Sequence, residues 1–198
     1  MLLNEDELDA LQEIVNIGVG RAAGSLSELI GSRINLRVPA LHLVAPTDCD
    51  PNCGEGMSIV QGFEGNISGN ALLVFPIESG QTLAMLLGGY DENETIPEFE
   101  ISGILSEIGN IVLNGVLGSL ANAIETDLLY QVPDFFVNES FVNLVEKGAA
   151  AEEDSVSPVL LADTQFSVED SDIEGSIMIA FRLGSLEKLL EELQQLFA

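Results

Sequence analysis

Residues 11–30 read LQEIVNIGVGRAAGSLSELI, and residues 105–124 read LSEIGNIVLNGVLGSLANAI. Both have the spacing of an amphipathic helix, and both carry glycines, which are poor helix formers. Laid over one another without a gap, residues 9–39 and 103–133 agree at Leu11/Leu105, Glu13/Glu107, Ile14/Ile108, Asn16/Asn110 and Ile17/Ile111. They agree again at Gly24/Gly118, Ser25/Ser119, Leu26/Leu120, Val38/Val132 and Pro39/Pro133. Shared helical composition does not produce that many matches in one register, so the chain reads as an internal duplication.

The later parts of the two halves correspond at a larger offset. ISGNALLVFPIESGQTL from Ile67 overlies IEGSIMIAFRLGSLEKL from Ile173, matching Gly69/Gly175, Phe75/Phe181, Ser79/Ser185 and Leu83/Leu189. The offset grows from 94 to 106, which places an insertion in the second half, in the acidic, Ala- and Ser-rich stretch VEKGAAAEEDSVSP.

Each half passes through the same periodicities in the same order. A long helix comes first, at about 5–30 and 99–124. Strand-like runs follow: INLRV, ALHLVA, MSIVQGFE and ALLVFP, then LLYQV, DFFVNES, VLLADTQFSV and SIMIAFRL. A shorter helix closes each half, ESGQTLAMLLGG in the first. In the second it is GSLEKLLEELQQLFA, with Leu186, Leu189, Leu190, Leu193 and Leu196 on one side. A helix followed by consecutive strands favours hairpin-rich antiparallel sheet. The expected fold is α+β: a duplicated helix-plus-antiparallel-strands unit with pseudo-twofold symmetry. Residues 1–198 then form a single domain of two repeats, about 1–95 and 96–198, because GGYDENETIPEFE is a thin linker for two independent domains.

Composition narrows the function. The 198 residues are 46% hydrophobic and 20% charged, and six basic residues face thirty-three acidic ones, for a net charge of −27. Nucleic acid and anionic membrane surfaces would repel such a chain. A partner offering Lys or Arg is favoured. Arg21, Arg33 and Arg37 lie close to the first motif, where local charge balance and docking are both open readings. No apolar run approaches ~18 residues, so no membrane span is expected. The acidic opening MLLNEDELDA does not read as a secretory signal, which points to the cytoplasm. Cys49 and Cys53 stand in CDPNCGEG with His42 the single histidine, too few ligands for an ordinary zinc site. A strained disulfide and a metal half-site are open readings for the pair, and two incidental cysteines is the favoured one.

At ~100° per residue, Asp9, Glu13 and Asn16 fall within about 60° of one another. Leu8, Leu11, Val15, Gly18, Ala22, Leu26 and Leu29 cluster on nearly the opposite side. The polar trio therefore faces outward. Gly18 and Gly24 border the buried side, where each interior glycine costs ~1 kcal/mol relative to alanine and close packing, or closeness to a partner, is expected to offset that. One outward Glu-x-x-Asn is commonplace; the same pair at the same register in both halves, each Asn followed by a proline 23 positions on, is not.

These residues resemble the signature of the CheC/CheX/FliY family of response-regulator phosphatases: an acidic or Ser residue, three residues, Glu, two residues, Asn, twenty-two residues, Pro. Asp9, Glu13, Asn16 and Pro39 match in full, and EIVNIGVGRAAGSLS is similar to the family's EIGNIGAGNAATALS-like helix. The second half matches at Glu107, Asn110 and Pro133 but has Gly103 at the leading position. Ser102, next to it, lies about 140° round the helix from Glu107 and is a poor stand-in. Two intact Glu/Asn centres resemble CheC more than CheX, which carries one.

The resemblance implies hydrolysis of the phosphoaspartate on a phosphorylated CheY-like response regulator. Asn16 and Asn110 would orient the attacking water without adding charge near the phosphoryl group. Glu13 and Glu107 would pair with the regulator's lysine, with Asp9, Pro39 and Pro133 completing the binding signature. It implies no metal site and no cofactor of the chain's own, the Mg²⁺ being the regulator's, and admits a CheD-like partner. A non-catalytic adaptor that binds the regulator or a CheD-like protein is the alternative reading; an amide at both positions argues against it. Nucleotide binding through GVGRAAG is disfavoured because no strand precedes it and its glycines lie within a helical pattern.

Overall fold

A computed structural model describes residues 5–31, 33–44, 56–91, 94–141, 143–144, 156–168, 171–182 and 184–197. In chain order the elements are α1 (Glu5–Ile30), β1 (Ile34–Val44), β2 (Met57–Gly65), β3 (Gly69–Phe75), α2 (Ile77–Gly88) and α3 (Glu98–Ala123). The chain continues through β4 (Leu128–Tyr130), β5 (Asp134–Val137), β6 (Val156–Val168), β7 (Ser171–Arg182) and α4 (Ser185–Phe197). The expected α+β class and antiparallel pairing hold. Cys49, Cys53 and most of the acidic insertion lie outside the described residues.

The seven strands among the described residues form one antiparallel sheet in the order β1-β6-β7-β3-β2-β4, with β5 also paired to β2. Strands of the two halves are therefore interleaved. The order maps onto itself when the halves are exchanged, β1 with β4, β6 with β2 and β7 with β3. At the centre Leu72 pairs with Met178, flanked by Ala71 with Ile179 and Leu73 with Ile177. Leu72 and Met178 are 106 apart, the offset at which these segments align, so the register has a local twofold at this pair.

The central strands are buried on both faces, hence their continuous apolar sequences. Ala71, Leu73, Phe75, Ile177, Ile179 and Phe181 join the main core with α1 and α3. Leu72, Val74, Met178 and Ala180 point the other way, into a smaller cluster with Phe141 and Leu144. Leu186, Leu189, Leu190 and Leu193 of α4 are buried, as their spacing requires. An 18-residue window of α3 is apolar enough to cross a bilayer by length and composition, but 56% of it is buried inside the molecule. Its hydropathy is that of a core helix.

Where α1 meets α3, side chains are absent on both. A Cβ on Gly18 would stand 2.7 Å from the Gly115 carbonyl oxygen, and one on Gly115 would stand 2.8 Å from that of Gly18. The close approach expected at Gly18 is thus present. Gly24 differs from expectation: it is exposed, with nothing within 4 Å of a Cβ built there. Leu29 also departs from the predicted stripe, at 64% exposure. Towards the C-terminus of α1 the buried stripe drifts to Val19, Ala23 and Leu26, with Ile30 partly buried, which turns Leu29 outward.

Two glycines of one helix should therefore respond oppositely in urea denaturation. Gly18→Ala is expected to destabilise by ~1–3 kcal/mol, because the helices must separate to admit the methyl group. Gly24→Ala is expected to stabilise by up to ~1 kcal/mol through helix propensity alone. A stabilising Gly18→Ala would contradict the close crossing.

Candidate functional site

In the first half INLRV and ALHLVA are not two strands but one, β1, with an irregularity between Arg37 and Ala40. Arg37 pairs with Gln165 and Ala40 with Asp163, so Val38 and Pro39 together face Thr164. Proline has no N–H to give a ladder, and a bulge is where an edge strand accommodates it. Helix α1 grips that bulge. The Val38 N–H donates to Asn16 Oδ1 at 3.1 Å, and Gln12 Nε2 donates to the Pro39 carbonyl oxygen at 3.3 Å. Gln12 and Asn16 are one turn apart and so share a face. This contact gives a physical reason for the Asn-to-Pro spacing: the irregularity at the proline goes with a backbone donor aimed at the amide.

The second half makes the same bulge more open. Tyr130 pairs with Phe63 and Asp134 with Val60, so Gln131, Val132 and Pro133 face Gln61 and Gly62. Three residues oppose two, and the strand divides into β4 and β5. Val132, the counterpart of the buried Val38, is 86% exposed. Asn110 is held by side chains instead. Asn114 Nδ2 donates to Asn110 Oδ1 at 2.9 Å. Gln61 Nε2 donates to Asn114 Oδ1 and to the Gln131 carbonyl oxygen, each at 3.0 Å.

The orientation of each asparagine follows from donor and acceptor chemistry. A backbone N–H only donates, so Asn16 must present Oδ1 to Val38 and turn Nδ2 away. A backbone carbonyl only accepts, so Gln61 must present Nε2 to Gln131. Two different anchors leave both amides with the same sense. Gln61 is 1% exposed, and its Oε1 is buried without a partner among the described residues, a loss of about 1–3 kcal/mol.

Glu107, Asn110 and Pro133 line one groove of 450 Å³ together with Gln61, Asn114 and Tyr130. Gly103 stands at its edge, with nothing within 4 Å of a Cβ built there. Ser102 is engaged elsewhere, its Oγ donating to the Phe99 carbonyl oxygen at 2.9 Å. Burial and the nearby Asp127 raise the Tyr130 pKa, so its hydroxyl stays protonated at neutral pH.

In the first half Asp9 and Glu13 are exposed and Asn16 is half-buried, as expected. Pro39 opens instead onto a separate groove of 370 Å³ with Asp163, Thr164 and Glu174, which includes neither Glu13 nor Asn16. Arg21, Arg33 and Arg37 are exposed, and Arg37 Nε donates to Gln165 Oε1 at 3.0 Å. Sequence reasoning passed over Asn114 and Gln61. The signal for Asn114 was present, since it follows Asn110 by one helical turn.

The CheC-like family model matches residues 7–43, the segment that runs from α1 through the Val38–Pro39 bulge. The CheY-P phosphatase CheC of Bacillus subtilis (strain 168) is 27% identical over 139 residues, 67% of this chain and 66% of that protein. The match thus spans just under two thirds of that relative's length. Thermotoga maritima FliY superposes with a TM-score of 0.74 at 20% identity, covering 98% of this chain and 99% of that one. A CheX–CheY–BeF3–Mg²⁺ complex from Borrelia burgdorferi gives a TM-score of 0.55 at 17% identity, covering 86% of this chain and 99% of the matched one. These comparisons bear out the resemblance to the CheC/CheX/FliY family, and the two structures share its fold.

Gly103→Ala should raise helix stability by up to ~1 kcal/mol with the second groove intact, since the position is exposed and open. Thermal denaturation checks this. A loss of stability would show that the groove edge is occupied.

Proposed function

We propose that this protein hydrolyses the phosphoaspartate of a CheY-like response regulator, with Asn16 and Asn110 orienting the attacking water. The observation that supports this most is the common sense of the two amides. Each asparagine has its Oδ1 satisfied from within the molecule and its Nδ2 turned away. An exposed glutamate, Glu13 or Glu107, stands one turn before it. The similarity to a protein named as a CheY-P phosphatase supports the same reading.

The chemistry asks little of this chain beyond placement. A water that accepts a hydrogen bond from Nδ2 keeps a lone pair for the phosphorus atom. Its oxygen bonds to phosphorus while the bond from phosphorus to the aspartyl oxygen breaks. Aspartate carboxylate and inorganic phosphate result, with the water's protons left on phosphate and solvent. Phosphoryl transfer is governed by in-line positioning and charge stabilisation. A neutral amide serves the first without opposing the second, and it does not titrate. Glu13 and Glu107 dock the regulator by pairing with its lysine, and Asp9, Pro39 and Pro133 frame the docking helices. Mg²⁺ belongs to the regulator under this scheme, and the chain supplies no cofactor. The protein acts in the cytoplasm as a single domain of two repeats, with a CheD-like protein as a further partner.

Phosphate loss from a labelled CheY-type regulator tests the proposal. Wild type should exceed the regulator's own rate, each of Asn16→Ala and Asn110→Ala should retain part of the acceleration, and the double variant should lose it. A double variant as fast as wild type contradicts the mechanism. Binding without acceleration by wild type selects the adaptor instead. Glu13→Ala and Glu107→Ala should weaken regulator affinity by about tenfold or more. Unchanged affinity in both removes their docking role.

A further inference from the structure

We infer that Asn114, held by Gln61, is a positioning residue for the second centre alone, and that the two centres are built on different supports. The inference rests on the phosphatase reading, and it concerns what fixes the direction of the Asn110 amide.

The chain of hydrogen bonds has one allowed polarity. It starts at the Gln131 carbonyl oxygen, which accepts from Gln61 Nε2 at 3.0 Å. The same nitrogen donates to Asn114 Oδ1 at 3.0 Å, which leaves Asn114 Nδ2 to donate to Asn110 Oδ1 at 2.9 Å. Reversing Asn110 would set Nδ2 against Nδ2. The relay therefore fixes Asn110 Oδ1 on its anchor and turns the Nδ2 hydrogens away from it, as the Val38 N–H does for Asn16. Gln61 is buried with Oε1 unpartnered among the described residues, so it is not there to satisfy itself. Its two donated bonds are what it contributes.

Among the described residues the first centre has no such relay. The position of α1 that corresponds to Asn114 at the offset of 94 is Gly20, exposed and with nothing within 4 Å of a Cβ built there. The second centre in turn has its strand pulled open at Val132, the counterpart of Val38, whose N–H holds Asn16. Asn114 stands in for the backbone donor that the wider bulge has moved.

Kinetics with a phosphorylated CheY-type regulator, each centre isolated in turn, test this. In an Asn16→Ala background, Asn114→Leu should lower kcat by about tenfold to a hundredfold with KM unchanged, because the water is misplaced while docking is not. In an Asn110→Ala background the same substitution should leave the remaining activity unchanged. Asn114→Asp provides the directional control. Its carboxylate still accepts from Gln61 but cannot donate, so Asn110 reverses; protonated, it donates again. Relative to the Asn16→Ala parent at each pH, its rate should rise as pH falls through the aspartate range near ~4, while that of Asn114→Leu stays flat.

An unchanged kcat for Asn114→Leu in the Asn16→Ala background, with the parent active, overturns the positioning role and leaves the phosphatase reading standing. Equal losses in both backgrounds overturn it in favour of a purely structural residue. A wild type that does not accelerate phosphate loss overturns the phosphatase reading and the positioning role together.

Discussion

Helices α1 and α3 lie side by side only because neither has a side chain where they cross, at Gly18 and Gly115. Any methyl group there would meet a backbone carbonyl oxygen. The rest of the arrangement depends on this contact. It lets two long helices share one face of one sheet, buries their apolar stripes in a common core, and leaves Glu13 and Glu107 facing solvent. The β3–β7 ladder fixes the same relation from below, since its central pair Leu72–Met178 joins equivalent positions of the two halves. The sheet and the helix crossing together give two similar outward faces from one core.

Each of those faces is completed by a fault in the neighbouring strand. A proline in an edge or near-edge strand disrupts the ladder, and the bulge at Pro39 goes with a Val38 N–H aimed at Asn16 rather than along the sheet. At Pro133 the fault is wider, a groove opens, and side chains replace the backbone donor. The two centres thus reach one amide orientation by different routes. Similar sequence signatures need not mean similar supports.

The helices, the succession of strand-like runs along the chain and most of the inward stripe were legible because they rest on local periodicity, which neighbours in the chain determine. The Glu/Asn placement was legible for the same reason, and the repeat sharpened it. What was not legible depends on distant partners. That INLRV and ALHLVA run on as one bulged strand follows from pairing with β6, more than a hundred residues away. Gly18 and Gly24 look alike in sequence; only the packing of α3 shows that one is needed and the other is free. Leu29 left the stripe because burial along the last turns of α1 falls on Val19, Ala23 and Leu26 instead. Nothing local marks Gln61 within MSIVQGFE, because its partners Asn114 and Gln131 lie 53 and 70 positions away along the chain.

The claim at the centre of this account is that both amides face outward to place water on a phosphoaspartate. The structure of the complex with a CheY-type regulator carrying beryllofluoride and Mg²⁺ on its phosphorylatable aspartate tests it most directly. The account predicts Asn16 or Asn110 with Nδ2 within hydrogen-bond reach, about 3 Å, of a water in line with the bond from beryllium to the aspartyl oxygen. Glu13 or Glu107 should pair with the regulator's lysine in the same complex. A regulator bound with its aspartate remote from both asparagines would contradict it.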